Sequence, residues 1–118
     1  MAKYTELLKF NKGTREEIYI RERGQCFFCQ KQYHMESTSS IGYQIKDIMH
    51  FIPKSSLGLG IEENGVLGCR YHHSLLDNGS KGLRNEMLDM MEEYLKRIYE
   101  DWDKEKLVYR KWNFEGAV

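Results

Sequence analysis

The most regular hydrophobic pattern lies in the C-terminal third of the chain. Between Leu83 and Tyr99, apolar residues recur at the spacing of a helix that packs along one face. These apolar positions are Met87, Met90, Met91, Tyr94, Leu95, Ile98 and Tyr99. Glu92 stands one helical turn before Lys96, where the two side chains can pair. A methionine stripe of this kind is typical of a core-packing helix and more rarely of an adaptable binding groove, so we expect it to be core.

Shorter patterns predict the elements upstream. Thr14, followed by acidic residues, is typical of a helix N-cap, and this helix is expected to run to about Arg23 and to end at Gly24. Residues 43–52 are rich in β-branched and aromatic side chains and predict a strand that Pro53 closes.

A second strand and a helix are predicted to follow it. Residues 64–68 predict a short strand with turn residues at its start, and residues 69–76 predict a helix. The Asp-Asn-Gly sequence at positions 77–79 is expected to end that helix.

The remaining segments carry weaker signals. Residues 33–42 indicate a loop or a weak edge strand, and residues 54–63 a loop. Residues 1–12 have no clear cap and are expected to be loosely attached. Residues 107–112 indicate a final strand or extended segment that helps to pack both tryptophan rings inward.

The composition favours a single domain that spans residues 1–118. The chain has a mass of 14.1 kDa, and two separate cores of about 60 residues each would be marginal. Its 18 Lys+Arg balance 18 Asp+Glu, which argues against a uniformly basic coat but allows a locally basic face. No apolar stretch approaches the ~20 residues that cross a bilayer, and no signal-peptide core is visible. We therefore expect a cytoplasmic protein with no membrane partner.

The three cysteines indicate a metal site rather than a disulfide framework. Cys26 and Cys29 form a C-x2-C pair, and Cys69 and His72 repeat that spacing with histidine last. Two such pairs complete a tetrahedron of thiolate and imidazole ligands, which is typical of structural Zn²⁺. The alternative is a chance grouping of buried cysteines.

Histidine, asparagine and acidic residues between positions 47 and 77 add a second constellation. In chain order, its landmarks are Met49-His50-Phe51-Ile52-Pro53-Lys54-Ser55, Asn64, Cys69-Arg70-Tyr71-His72-His73 and Asp77. This order resembles the HNH (His-Asn-His) endonucleases of the ββα-metal, or His-Me finger, class. It is most similar to their small zinc-stapled members, which are common in phages and mobile elements. The resemblance covers roughly residues 14–80.

The resemblance implies an α+β fold. A ββα-metal core at about residues 14–80 would carry a zinc knuckle pair, with flanking N- and C-terminal helices. The C-terminal helical extension would cover about residues 83–112. The implied activity is metal-dependent hydrolysis of DNA phosphodiester bonds.

Each residue of the constellation has an expected role. His50 is the candidate general base, because imidazole titrates near neutral pH and can accept the proton of water. Its alternative is a satisfied core histidine. By resemblance, Asn64 ties the loop between the strands through backbone hydrogen bonds and so fixes the base; the alternative is a turn-forming asparagine.

His73 and Asp77 are the candidate ligands of a catalytic divalent ion, Mg²⁺, Mn²⁺ or Ni²⁺. They stand at i and i+4, so both leave the same face of a helix. Asp77 could instead cap the helix. His72 is assigned to zinc and His73 to the catalytic ion; the reverse assignment stays open, although only His72 gives C-x2-H spacing.

One position departs from the family pattern. Many HNH enzymes have Asp or His immediately before the base, whereas this chain has Met49, whose thioether is a poor ligand for Mg²⁺ or Mn²⁺. Asp47 is two residues away from this position along the predicted strand, a displacement of ~7 Å. We expect water, or nothing from the protein, at that position, and weak metal affinity.

The partner is expected to be DNA, bound through its phosphates. The candidate contacts are Lys46, Lys54, Arg70, Lys81 and Arg84. Solvated surface cations are the alternative for each of them, and Glu62 and Glu63 interrupt the basic patch.

Two other functions stay open. The domain could be a catalytically silent zinc module that binds nucleic acid or a protein partner, such as a phage packaging component or a host defence nuclease. It could also be a structural zinc protein that binds a partner through its C-terminal helix. A bacterial or phage-infected host cell is the expected setting.

Overall fold

A two-stranded antiparallel sheet and the helix that follows it organise the chain, of which the computed structural model describes residues 4–79 and 82–111. The fold is mixed α and β. In chain order the elements are α1 Tyr4–Leu7, α2 Lys12–Arg21, α3 Phe27–Gln30, α4 Ser40–Gln44, β1 Lys46–His50, β2 Gly65–Cys69, α5 Arg70–Asn78 and α6 Arg84–Ile98. Short 3-10 turns occupy Lys54–Ser56, Glu62–Asn64 and Lys104–Leu107.

The sheet pairs β1 with β2 over five residues, and two of the residues of β2 are glycines. Lys46 pairs with Cys69 at one end of the ladder, and His50 pairs with Gly65 at the other. A Cβ atom on Gly68 would stand 2.5 Å from the Met49 sulfur, so only glycine admits that buried side chain. Side chains alternate along β1, and Met49 and His50 therefore leave opposite faces of the strand.

The main core lies between the sheet, α3, α5 and α6. The methionine stripe of α6 is core, as predicted: Met87, Met91 and Leu95 are fully buried. They pack with Phe28 and other buried residues of one hydrophobic cluster. The predicted pair of α6 is also present, with Lys96 Nζ 3.0 Å from the Glu92 carboxylate.

A partly buried polar network fixes α2 to the sheet and to α6. The Arg21 guanidinium lies 2.7 Å from the Glu22 carboxylate and donates to the backbone carbonyls of Glu62 and Gly65. The Tyr94 hydroxyl of α6 donates to the same Glu22 carboxylate at 2.7 Å. Because Glu22 is buried but paired, its charge is tolerated and α2 is held in place.

The middle of the chain differs from the prediction in one helix. Residues 33–42 were predicted as a loop or edge strand, but α4 begins within that segment at Ser40. The Ser39 hydroxyl caps it by accepting a hydrogen bond from the Gly42 N–H at 3.3 Å. The helix takes the first residues of the predicted strand 43–52, so β1 is shorter than predicted.

The N-terminal residues are attached more firmly than predicted. α2 begins at Lys12, and its N-cap is Asn11 rather than Thr14: the Asn11 side chain accepts from the Thr14 N–H at 2.8 Å. Leu8, three residues before this cap, is also buried. The described part of residues 1–12 therefore belongs to the folded domain.

The described part of the predicted segment 107–112 begins at the end of a 3-10 turn and is extended at Val108. Beyond Lys104–Leu107, Val108 makes one isolated bridge to Gly58. Trp102 does pack inward, because its Nε1 donates to the Glu63 carbonyl at 2.7 Å and its ring meets Phe51 edge-on. Trp112 lies outside the described residues. Within those residues, no helix has the length and apolarity that a bilayer crossing demands.

Candidate metal centre and active-site cleft

The four residues of the two knuckles converge on one point. Cys26 caps α3, Cys29 lies within it, and Cys69 ends β2 and caps α5, whose first turn carries His72. One ligand atom from each residue lies within 4.8 Å of the other three. The His72 Nδ1 atom is 3.3 Å from the Cys69 sulfur and 3.6 Å from each of the other two. These side chains are therefore placed to hold a metal ion.

The tautomer of His72 suits a metal ligand. Its Nε2 donates to the Tyr33 backbone carbonyl at 2.5 Å. A neutral imidazole carries one proton, so Nδ1 presents a lone pair to the sulfurs. An outward hydrogen bond of this type orients histidine ligands in many metal sites.

The three thiols cannot all ionise without a cation. The hydrogen bond between Cys26 and Cys69 raises the pKa of Cys26 and lowers the pKa of Cys69. Cys69 is therefore the favoured thiolate. Burial, and then the charge of Cys69, raises the pKa of Cys29 to about 11. A bound cation would remove this conflict, because metal ions take thiolates as ligands.

His50 lies in a surface cleft of about 430 Å³. Its Nε2 donates to the Leu8 carbonyl at 2.9 Å, and the Phe10 ring lies 4.3 Å away, centroid to centroid. Burial lowers the pKa of His50; the Leu8 bond opposes the shift, and the positive charge of Lys54 adds to it. His50 is therefore neutral at pH 7, with Nδ1 as an acceptor.

His73 and Asp77 line the same cleft as His50 and contact each other. The His73 Nε2 atom is 3.1 Å from the Asp77 carboxylate, the i,i+4 contact expected on α5. The Cys26–Cys29–Cys69–His72 cluster is the one group of three or more potential ligands close enough to share an ion in residues 4–79 and 82–111. His73 and Asp77 thus form a pair beside His50.

Asp47 lines the same cleft and approaches His73 from β1. Its carboxylate lies 3.6 Å from His73 Nδ1, on the ring edge opposite Asp77. The displacement of ~7 Å runs along β1 from the position before His50, and the contact of Asp47 is instead with His73 of α5. Met49 is fully buried in the core.

Asn64 makes the backbone hydrogen bonds expected of it. Its side-chain oxygen accepts from the Ile52 N–H at 2.7 Å, and its amide donates to the carbonyls of Ile52 and Leu59 at 3.0 and 2.8 Å. Both ends of the segment that follows His50 are thereby joined. The loop is tight at Gly58, where a Cβ atom would collide with the Ile52 carbonyl.

Replacing Asn64 by alanine is expected to lower the free energy of unfolding by about 3 kcal/mol, because buried backbone groups at both ends of the loop lose their partners. Asn78→Ala is the matched control: Asn78 is exposed and donates to the Ser74 hydroxyl alone among the contacts described. Urea unfolding of both variants measures the difference. Equal stability of the two variants would contradict the clamp.

The predicted DNA contacts divide between two adjoining clefts. Lys54 and Arg84 line the cleft of His50, and the Arg84 guanidinium also donates to the Leu76 carbonyl. Lys46 and Arg70 line a cleft of about 390 Å³ that shares Asp47, His73 and Asp77 with the first. The Lys46 ammonium donates to the carbonyls of Tyr43 and Gln44. Lys81 lies outside the described residues.

Two further cations line the His50 cleft and were missed from the sequence. Lys9 precedes Phe10, and Arg15 lies in the first turns of α2. Lys9 belongs to the segment that was expected to be loosely attached, whereas Arg15 lies in the predicted helix and was not recognised as a cleft residue. The apolar residues on either side of Lys9, Leu8 and Phe10, were the available sign that this segment packs.

No family model, curated protein or solved structure matches the chain. What can be inferred about function therefore comes from its residues and their geometry.

Proposed function

We propose that this chain is a metal-dependent DNA endonuclease of the HNH type, encoded by a phage or mobile element. The observation that carries the proposal is the shared cleft: His50, with one nitrogen engaged and the other available, lies beside the His73–Asp77 pair. Lys9, Arg15, Lys54 and Arg84 surround them.

The order of elements supports a ββα-metal core. β1 carries His50, the loop after it is tied by Asn64, and β2 leads directly into α5 with His73 and Asp77. The cluster of three cysteines and His72 would hold zinc, since three thiolates and one imidazole are a common tetrahedral zinc set. That ion would be structural, because all four positions are filled by protein.

The donors of His73 and Asp77 fit a divalent ion of the Mg²⁺, Mn²⁺ or Ni²⁺ type. Imidazole and carboxylate are suitable ligands, and Asp47 on the other ring edge of His73 can orient it. Such an ion, when bound, supplies stabilisation of the charge that develops on the phosphate.

The protein groups perform the remaining work. His50 Nδ1 accepts the proton of the attacking water, while the Leu8 carbonyl holds the ring in orientation. The cations of the cleft bind flanking phosphates, which positions the backbone without reading sequence. Asn64 keeps the segment after His50 in place.

Nicking of supercoiled plasmid tests the proposal. The zinc-loaded protein is incubated with Mg²⁺, Mn²⁺ or Ni²⁺, alone and in parallel with the His73→Ala and Asp77→Ala variants. We expect metal-dependent nicking by the wild type and its loss in both variants, with zinc content unchanged. Nicking without added metal, or at equal rates in all three proteins, would contradict it.

The cleft cations give a separate prediction for DNA affinity. Arg15→Gln and Lys54→Gln are each expected to weaken duplex binding, and to lower the slope of log affinity against log salt by about one. Arg97→Gln is the control, because Arg97 is exposed on α6 and does not line the cleft. Fluorescence anisotropy across a salt series measures the slopes. Identical slopes for all three variants would exclude a phosphate-binding role for the cleft.

A silent zinc module that binds nucleic acid or a protein partner is the second candidate. It is favoured by Met49, which is buried and leaves the position before His50 without a ligand, and by the two carboxylates that already engage His73. Salt-sensitive duplex binding with no nicking in any of the three metals would support this function over the first. Capture of a packaging protein or host nuclease, unchanged by the His73 and Asp77 substitutions, would point to a protein partner.

A further inference from the structure

A short segment that precedes α2 contacts the imidazole of His50, the proposed base. We propose that residues 7–10, the strap, are a positioning element that selects the tautomer of His50 with the proton on Nε2. Nδ1 is then the unprotonated nitrogen, which can accept a proton from water in the cleft. The catalytic consequence rests on the proposed function, whereas the tautomer can be measured without it.

The tautomer follows from the partner of Nε2. The Leu8 backbone carbonyl, 2.9 Å from His50 Nε2, can only accept a hydrogen bond. Nε2 must therefore carry the proton, and in the neutral ring Nδ1 has none. The Phe10 ring packs against the imidazole at 4.3 Å with a tilt of 45°, which limits rotation of the ring away from Leu8.

The strap is built into the fold through two glycines. The Gly60 N–H donates to the Leu7 carbonyl at 2.9 Å, and a Cβ atom on Gly60 would stand 2.2 Å from the Lys9 carbonyl. A Cβ atom on Gly65, the β2 partner of His50, would stand 2.7 Å from the Phe10 ring. Glycine at both positions gives the strap the room to lie against β2 and the loop before it.

One side chain anchors this backbone. Leu8 is 6% exposed, whereas its neighbour Leu7 is 39% exposed. A polar side chain at position 8 would be buried without a hydrogen-bond partner, which would release the strap from the fold. The same side chain at position 7 would reach water. Comparing the same substitution at Leu8 and at Leu7 therefore separates the effect of releasing the strap from the effect of adding a polar residue nearby.

The experiment compares Leu8→Asn with Leu7→Asn, and Gly60→Ala with Gly13→Ala. Gly13 lies in α2, where the nearest atom to an added Cβ is 3.6 Å away, so alanine fits there. Long-range ¹H–¹⁵N correlation spectra report which imidazole nitrogen carries the proton, and the His50→Gln spectrum assigns the signals. Zinc content reports the fold, and plasmid nicking gives kcat and KM.

We expect wild-type His50 to be the single Nε2–H tautomer. Leu8→Asn and Gly60→Ala should show both tautomers, with kcat lower by roughly 100-fold and KM for DNA unchanged, because the base is misplaced while the phosphate contacts remain. Leu7→Asn and Gly13→Ala should match the wild type in all three readouts.

Several results would overturn the inference. An Nδ1–H or mixed tautomer in the wild-type spectrum overturns it even if every strap variant fails to fold. Zinc-loaded Leu8→Asn and Gly60→Ala proteins with the wild-type tautomer and kcat also overturn it. If the wild type shows the Nε2–H tautomer and the two strap variants lose it, the positioning role is supported. If that wild type also fails to nick plasmid, the result counts against the nuclease function alone.

Discussion

Chelation of the zinc ion that we propose for the Cys26–Cys29–Cys69–His72 cluster is expected to unfold the chain rather than loosen one loop. The cluster joins the start of α3 to the junction of β2 and α5, and Cys26 and Cys69 are part of the main hydrophobic cluster. Binding of structural zinc contributes about 10 kcal/mol or more, while domains of this size are stable by about 5–15 kcal/mol. Without the ion, the raised pKa values of Cys26 and Cys29 would keep these two thiols protonated beside the Cys69 thiolate. Far-UV circular dichroism and metal analysis during chelation measure the outcome.

Variants at two histidines separate zinc loss from other effects. His72→Asn is expected to lose zinc and the cooperative thermal transition. His72→Cys should retain zinc, because four thiolates also form a structural site. The control is His34→Asn, since the side chain of His34 is 38% exposed and pairs with Glu36 outside the cluster. A chelated protein, or a His72→Asn protein, with the wild-type melting curve would contradict a structural role of the ion.

The metal cluster was predictable because its information is local. Two residues separate the ligands of each pair, so Cys26 with Cys29, and Cys69 with His72, converge almost regardless of the rest of the fold. The pairing of His73 with Asp77 follows in the same way from one turn of α5. The methionine stripe of α6 was predictable because its period is that of a helix.

The features that were missed depend on contacts between distant segments. Asp47 reaches His73 only because β1 and α5 come together, and that distance cannot be read from positions along one strand. The Leu8 carbonyl bonds His50, which lies 42 positions later in the chain. This contact needs glycines at positions 60 and 65, and the reason for glycine there follows only from the neighbouring segment. α4 was missed because a serine-rich run supports a loop and a helix cap equally well.

Substitution of His50 is expected to lower the nicking rate by about 10²–10⁴-fold, the usual contribution of a general base. His50→Gln is the sharper variant, because the glutamine amide can still donate to the Leu8 carbonyl but has no basic nitrogen. His50→Ala removes both the base and the ring that packs on Phe10. Both proteins should keep zinc and bind duplex DNA with wild-type affinity, and His34→Ala should nick normally. Wild-type nicking by His50→Gln would remove this imidazole from the mechanism.

The pH dependence of nicking tests the same group without a substitution. Burial holds the pKa of His50 below the ordinary value of 6.5, and the charge of Lys54 and the nearby His73 act in the same direction. The Leu8 bond and Asp47 oppose them, and a cation held by His73 and Asp77 would lower the pKa further. A base must be unprotonated to act, so the rate should fall only as the pH drops below 6.5, through the lowered pKa. A half-maximal rate above pH 7 in the wild type, or an acid limb that persists in the residual activity of His50→Gln, would assign the proton transfer to another group.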